Sequence, residues 1–190
     1  MDLYIEDKEF NNIVSTEEQL EKGEYEFCTF SNCDFSNIDF SNFVFAECQF
    51  IDCNLSMVNL TETVFRDVNF KSCKLLGVNF GDCNEFGLTL SFDNCIIDHC
   101  IFYKIKLKKT VFKDSQLHET DFTECDLTNS TFNNCDLTRA IFENTTLLSV
   151  DFRTSYNFII DPELNKIKKA KFSINNISGL LTKYNIKIEK

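Results

Sequence analysis

The chain of 190 residues has no tryptophan, one proline and five glycines. A β-protein built from tight hairpins needs more turn glycine than that, so a hairpin meander is excluded. Cations are also scarce, with 19 Lys and Arg against 30 Asp and Glu and a net charge of −11. A binder of nucleic acid or of an anionic membrane needs the opposite balance to displace counterions. No apolar run reaches membrane-spanning length. The opening MDLYIEDKEF is acidic rather than a basic-then-apolar leader, and ten cysteines without a leader fit a reducing compartment. The expectation is a cytoplasmic protein with no membrane association.

What is abundant is phenylalanine, with 21 residues, and it recurs with a fixed period. Every fifth residue from Tyr25 to Phe80 is large and apolar; the frame slips by two and resumes from Phe92 to Phe152. A period of five fits neither a helix nor a flat strand, so each unit must turn a corner. Two residues before each centre lies a register of small side chains, and all ten cysteines fall in it. The other three registers are mainly polar. One large and one small residue therefore point inward per unit, and four units close a square coil of twenty residues. Coils then stack with backbones about 4.8 Å apart, as in a parallel sheet.

Units such as CDFSN at 33–37, CDLTN at 125–129 and CDLTR at 135–139 resemble the pentapeptide-repeat family. That resemblance implies an all-β fold, a right-handed quadrilateral β-helix, over residues 25–152. Columns twenty residues apart place Phe92, Phe112, Phe132 and Phe152 on one face and Phe102, Phe122 and Phe142 opposite. Ile97, Leu117 and Leu137 form a third column and Leu107, Leu127 and Leu147 a fourth. Phe43 puts a large ring in the small register, which predicts local distortion.

Residues 1–24 show no clean repeat and read as an N-terminal cap, with Ser15-Thr16-Glu17-Glu18 as a capping box. The slip places a small outward loop at 84–89. After Phe152 comes an irregular turn around Asp161-Pro162, and the frame returns at Ile167 and Phe172, with Ala170 inward. The tail then predicts a short helical turn around Leu180, Leu181 and Tyr184 and a strand in which Ile186 and Ile188 alternate. This helix-strand module is similar to the end of the quinolone-resistance (Qnr) branch of the family. There the C-terminal module joins two monomers, and the rods mimic B-form DNA and bind type II topoisomerases, chiefly DNA gyrase. The resemblance implies a homodimer through Leu180, Leu181, Tyr184, Ile186 and Ile188.

Catalytic chemistry is not indicated. The cysteines repeat at the structural period and share no register with a histidine, so they read as small core residues rather than metal ligands. His99, Glu119 and Arg139 are twenty residues apart and form a ladder of alternating sign. His118 points outward with no orienting carboxylate in sight of the pattern. No phosphate loop, zinc motif or nucleophile elbow is present, and a filled solenoid offers no natural pocket. No cofactor, metal or catalytic residue is expected. Lys104, Lys106 and Lys113 fall one coil from Glu124, Asp126 and Asp93, which reads the basic block 104–113 as a ladder.

The acids are less balanced. Glu47 stacks with Asp67 and Glu62 with Asp82, like charges on neighbouring strands, which is destabilising. Asp34 and Asp39 extend the same acidic half. These six residues are the candidates for contact with a protein partner that has a basic groove, which the Qnr resemblance makes DNA gyrase or topoisomerase IV. The alternative is a non-catalytic interaction or structural module with an unrelated partner, because this fold does not fix function.

Overall fold

A computed structural model describes residues 3–14 and 20–189. The coils stack as the five-residue period requires. One parallel sheet is β1 (Leu3–Glu6), β3 (Gly23–Glu26), β5 (Val44–Ala46) and β7 (Val64–Arg66). A second joins β2 (Glu9–Asn11), β4 (Thr29–Ser31), β6 (Gln49–Ile51), β8 (Val68–Lys71), β9 (Leu90–Asp93), β10 (Val111–Lys113) and β11 (Thr131–Asn133). Partners are twenty residues apart (Tyr25 opposite Phe45, Phe45 opposite Phe65), except across the slip, where Phe70 meets Phe92. Single bridges such as Asp34 to Asn54 and Asp121 to Ile141 continue the ladder along the other two faces.

Each coil thus has four faces, in chain order first to fourth. The first carries Ile5, Tyr25, Phe45, Phe65, Leu107, Leu127, Leu147 and Ile167. The second is a column of nine phenylalanines from Phe10 to Phe172, whose rings stack 4.7–5.4 Å apart and within 18° of parallel. Phe102, Phe122 and Phe142 stack on the fourth face and meet the second column edge-on, as with Phe112 against Phe122 at 5.9 Å and 83°. Offset stacks along the rod with edges across it are the arrangement the ring quadrupole favours.

The corners explain the scarcity of glycine. Two residues after each centre the backbone enters the left-handed region, as at Asn32, Asn37, Asn129 and Asn134 (φ 54–62°). At many corners the centre carbonyl accepts from the amide three residues on, as in Thr63 N–H to Leu60 O at 2.9 Å, a type II turn. Asn and Asp tolerate this conformation better than other side chains and supply about half of the non-glycine examples. The residue before the centre often adds an Asx turn: Asp34 accepts from Ser36 N–H at 2.9 Å, Asp39 from Ser41 at 2.9 Å and Asp121 from Thr123 at 2.8 Å.

The small register is a register of donors. Hydroxyls of Thr120, Ser130, Thr145 and Ser155 donate to centre carbonyls of the neighbouring coil at 2.7–2.8 Å. Thiols of Cys28, Cys33, Cys48, Cys53 and Cys73 do the same at 3.2–3.7 Å. All ten cysteines are buried and unpaired, and burial pushes the Cys48 and Cys100 thiols up to about 12.

Several expectations need correction. The described part of 1–24 is a coil, not a separate cap: Leu3–Glu6 pairs with Gly23–Glu26 and Phe10 stacks on Phe30. The capping box at 15–18 lies outside the described residues. The slip is absorbed in two places: a 3₁₀ turn at Phe80–Asp82 and the turn at 84–89, whose Phe86 is 81% exposed. Phe43 causes no distortion. It lies above Gly23, stacks on Phe45 at 5.9 Å, and leaves β5 paired in register on both sides. The tail forms two 3₁₀ turns, Ile177–Leu180 and Thr182–Tyr184. Among the described residues no strand follows; Asn185 takes φ 48°, and Ile186 and Ile188 are more than half exposed. Without a neighbouring strand to pair with, alternation alone does not make one.

Candidate protein-binding face

The six acidic candidates separate into two groups. Asp34 and Asp39 hold Asx turns, and their carboxylates also accept from Asn54 at 3.2 Å and Asn59 at 2.9 Å. Bonds from Ser36 and Ser41 hold both carboxyls below the usual range. They are structural residues on the third and fourth faces.

Glu47, Asp67, Glu62 and Asp82 come together around the first face. Glu47 and Asp67 are left-handed corner residues (φ 51° and 52°) where the chain leaves that face, and Glu62 (φ 57°) is the corner where it enters. Asp82 lies one coil beyond Glu62, whose amide donates to its carbonyl at 2.9 Å. All four are exposed. Asn84 donates to Glu62 at 3.2 Å and Asn79 to Asp82 at 2.8 Å; among the described residues Glu47 and Asp67 have no ion-pair partner. Between the two acidic rims runs a flat strip, the outer side of β3, β5 and β7, with half-buried Val44 and Val64 and the acids Glu24 and Glu26.

Two aromatic residues of this face escaped the sequence reading. Phe27 occupies a left-handed corner (φ 52°) and is 43% exposed. A bulky side chain in that conformation is strained, and the signal was available: Phe27 is the one aromatic in a register that is mainly polar. Phe86 projects from the turn at 84–89 beside Arg66, whose side chain lies next to Gly87.

The ladder of the other half is largely as the spacing predicts. Glu119 lies 3.4 Å from His99 and pairs with Arg139. Lys104 meets Glu124 at 3.6 Å and Lys113 meets Asp93 at 3.1 Å. Lys106 does not reach Asp126; Lys108 does, at 3.1 Å. His118 is flanked by carboxylates after all, Asp136 at 3.1 Å and Asp98 at 3.8 Å, since both sit next to centres of neighbouring coils. No nucleophile completes that group. Among the described residues no three metal-ligating side chains converge, and no helix is long and apolar enough to cross a membrane.

The comparisons agree with this architecture. The model of the pentapeptide repeat region matches residues 24–91 and 86–152. No curated protein matches the sequence. A trypsin-treated variant of QnrB1, a plasmid-mediated fluoroquinolone resistance protein, superposes with TM-score 0.62 at 17% identity, covering 100% of both chains. A second trypsin-treated QnrB1 variant gives TM-score 0.62 at 18% identity, covering 99% of this chain and 98% of the other. With matched repeats over more than half its length and coils that close every twenty residues, the chain belongs to the pentapeptide-repeat family.

Proposed function

We propose that the protein is a non-catalytic, Qnr-like DNA mimic that binds a type II topoisomerase, DNA gyrase first, through the acidic half of its first face. One observation carries this reading: Glu47, Asp67, Glu62 and Asp82 rim a flat strip on both edges, in the half of the rod where, among the described residues, Arg66 with Glu24 is the one ion pair. Over the three coils they span, the four carboxylates give about one charge per 3.6 Å of rod, against about 1.7 Å in duplex DNA. A groove built for phosphates meets a field of the same sign at about half the density. The QnrB1 likeness supports the fold on which such a surface is built.

The test is a supercoiling assay with gyrase, titrated with this protein with and without a fluoroquinolone. Inhibition or drug protection that fades with salt and is lost on replacing the four acids by Gln or Asn is the expected result. No binding at micromolar protein and low salt sinks this reading and leaves an interaction module with another partner.

The tail supports a second contact, end-to-end pairing of two copies. Ile174 is 82% exposed, and Ile186 and Ile188 are each more than half exposed. Residues 165–190 also hold seven lysines and one acid, so a contact there opposes like charges and strengthens with salt. Deleting 174–190 removes it.

A further inference from the structure

From the charge pattern of the first face we infer that two copies associate side by side and antiparallel, first face to first face. This contact does not depend on the topoisomerase reading. The face is bipolar along the rod. Its N-terminal coils carry Glu6, Asp7, Glu47 and Asp67, and its C-terminal coils carry Lys106, Lys109, Lys166, Lys168 and Lys169. Among the described residues none of these nine has an ion-pair partner, whereas acids of the other faces in the same C-terminal coils, such as Asp93, Glu119 and Asp151, are paired.

The order of the rows makes the face self-complementary. Nine coils cross it, and the turn at 84–89 is the fifth. A two-fold axis through that turn, in the plane of contact, sets the first coil against the ninth and the fourth against the sixth. Asp7 then faces Lys169 and Glu6 faces Lys168; Asp67 faces Lys109, and Glu62, on the other rim, faces Lys104. Each pair occurs twice. The like-charged oppositions include Arg66 with Lys108, cations that hold Glu24 at 4.0 Å and Asp126 at 3.1 Å within their own chain, and Asp82, which lies on the axis and faces its own copy. On the axis sits Phe86, 81% exposed, which meets its own copy. An aromatic anchor at the centre of an isologous contact with a charged rim is a favourable arrangement.

The face is about 38 Å long and about 10 Å wide, from eight coil steps and three residues. That is about half the area per partner of a standard stable interface. The dimer is therefore weak, steered by charge and sensitive to salt.

Sedimentation equilibrium across a salt series tests the wild-type protein without any variant. Association that declines as salt rises is expected; a monomer at low salt and the highest soluble concentration overturns the inference. So does association that grows with salt, which places the contact at the rod end. Two triple variants then fix the geometry. One carries Asp7→Lys, Glu62→Lys and Asp67→Lys; the other carries Lys104→Glu, Lys109→Glu and Lys169→Glu. All six sites are left-handed corners, and native corners already hold both Lys and Glu, so the fold tolerates both sets. Each variant alone should dimerise about a hundredfold more weakly or worse, and an equimolar mixture should recover a 1:1 heterodimer. Wild-type-like dimers in either variant, or no recovery on mixing, overturn it. The lysine-to-glutamate variant keeps every proposed topoisomerase contact, so its gyrase assay fails only if that other reading fails.

Discussion

The two halves of the rod solve one stacking problem with different side chains. Past the slip, faces alternate strictly between phenylalanine and branched aliphatics, hydroxyls bond the neighbouring coil, and outward charges alternate in sign. Before the slip, the first face is aromatic too, thiols replace most hydroxyls, and acids stack on acids. Both halves keep the ladder unbroken. The difference teaches that the five-residue period is satisfied by the centre column and the corner alone. What varies beyond them is free to serve contact with other molecules, and the exceptions (Phe27, Glu47, Asp67, Phe86) gather on one face of the less regular half.

The largest expected effect tests whether the first coil belongs to the same cooperative stack. Phe112→Ala opens a hole in the middle of the nine-ring column and is expected to destabilise by about 3–5 kcal/mol. Phe10 stacks on Phe30 at 4.9 Å but has a ring on only one side along the column and is only partly buried, so Phe10→Ala should lose about half as much. Urea denaturation measures both. Equal losses would mean that the first coil is as tightly built into the stack as the middle of the column.

Next in size is the contrast between hydroxyl and thiol donors. Thr120→Val keeps the shape of the side chain and strands the Ile97 carbonyl that Thr120 bonds at 2.7 Å; about 1–3 kcal/mol should be lost. Cys53 bonds the Phe30 carbonyl at 3.3 Å through a weaker S–H donor, so Cys53→Val should lose less through the bond and show mainly a packing change. If the two substitutions are equivalent in chemical denaturation, the register selects for size alone and the donors are incidental.

Much of this was legible in the sequence because a repeat states its own geometry. The spacing of Phe92, Phe112, Phe132 and Phe152 carries fold, column and coil length at once. It failed where the signal was local or where two residues share an outward position. Ile5, Phe10 and Leu20 are in frame with Tyr25, but Ser15 fills the third place and hides the first coil. The period shows that Lys106 lies over Asp126, yet side-chain reach gives that carboxylate to Lys108. The acidic face was only half readable. Like charges one coil apart are visible in the sequence, but rims sharing one face require the chain path around the corner. That path separates Glu62 and Glu47 across a strip and removes Asp34 and Asp39 to other faces as turn residues.

A pH series sharpens the comparison further. In the C-terminal half the Arg153 guanidinium holds the Asp151 carboxyl below the usual range. At Asp126 and Asp136 partial burial pushes upward, and bonds from Thr128 and Thr138, with other partners, outweigh it and lower both. A carboxyl whose folded value is depressed adds stability that is complete above its unfolded value, near 4, and is lost as pH falls through the folded one. Stability contributed by these turns should therefore be flat from neutral pH to about 5 and decline below about 4. Asp136→Asn preserves the acceptor and should flatten that acid limb in thermal melts. An unchanged limb would place the acid sensitivity elsewhere.

The smallest effect has a sign rather than a size as its message. Glu119 stands between His99 and Arg139 in an exposed ladder, and such pairs contribute about 0.2–1 kcal/mol. Glu119→Gln should therefore destabilise slightly. Glu47 stands one coil from Asp67 with no cation between them among the described residues, and opposed like charges destabilise by a similar amount. Glu47→Gln should stabilise slightly, and its corner conformation is one that exposed polar residues share along the rod. Both shifts should shrink as salt screens them. Paired chemical denaturation of the two variants at low and high salt decides the matter. Opposite signs that converge with salt mean that the stacked acids are held against folding stability, as a contact surface requires. Two destabilising shifts would show that Glu47 has a structural partner and would remove the energetic reason for assigning it to an interface.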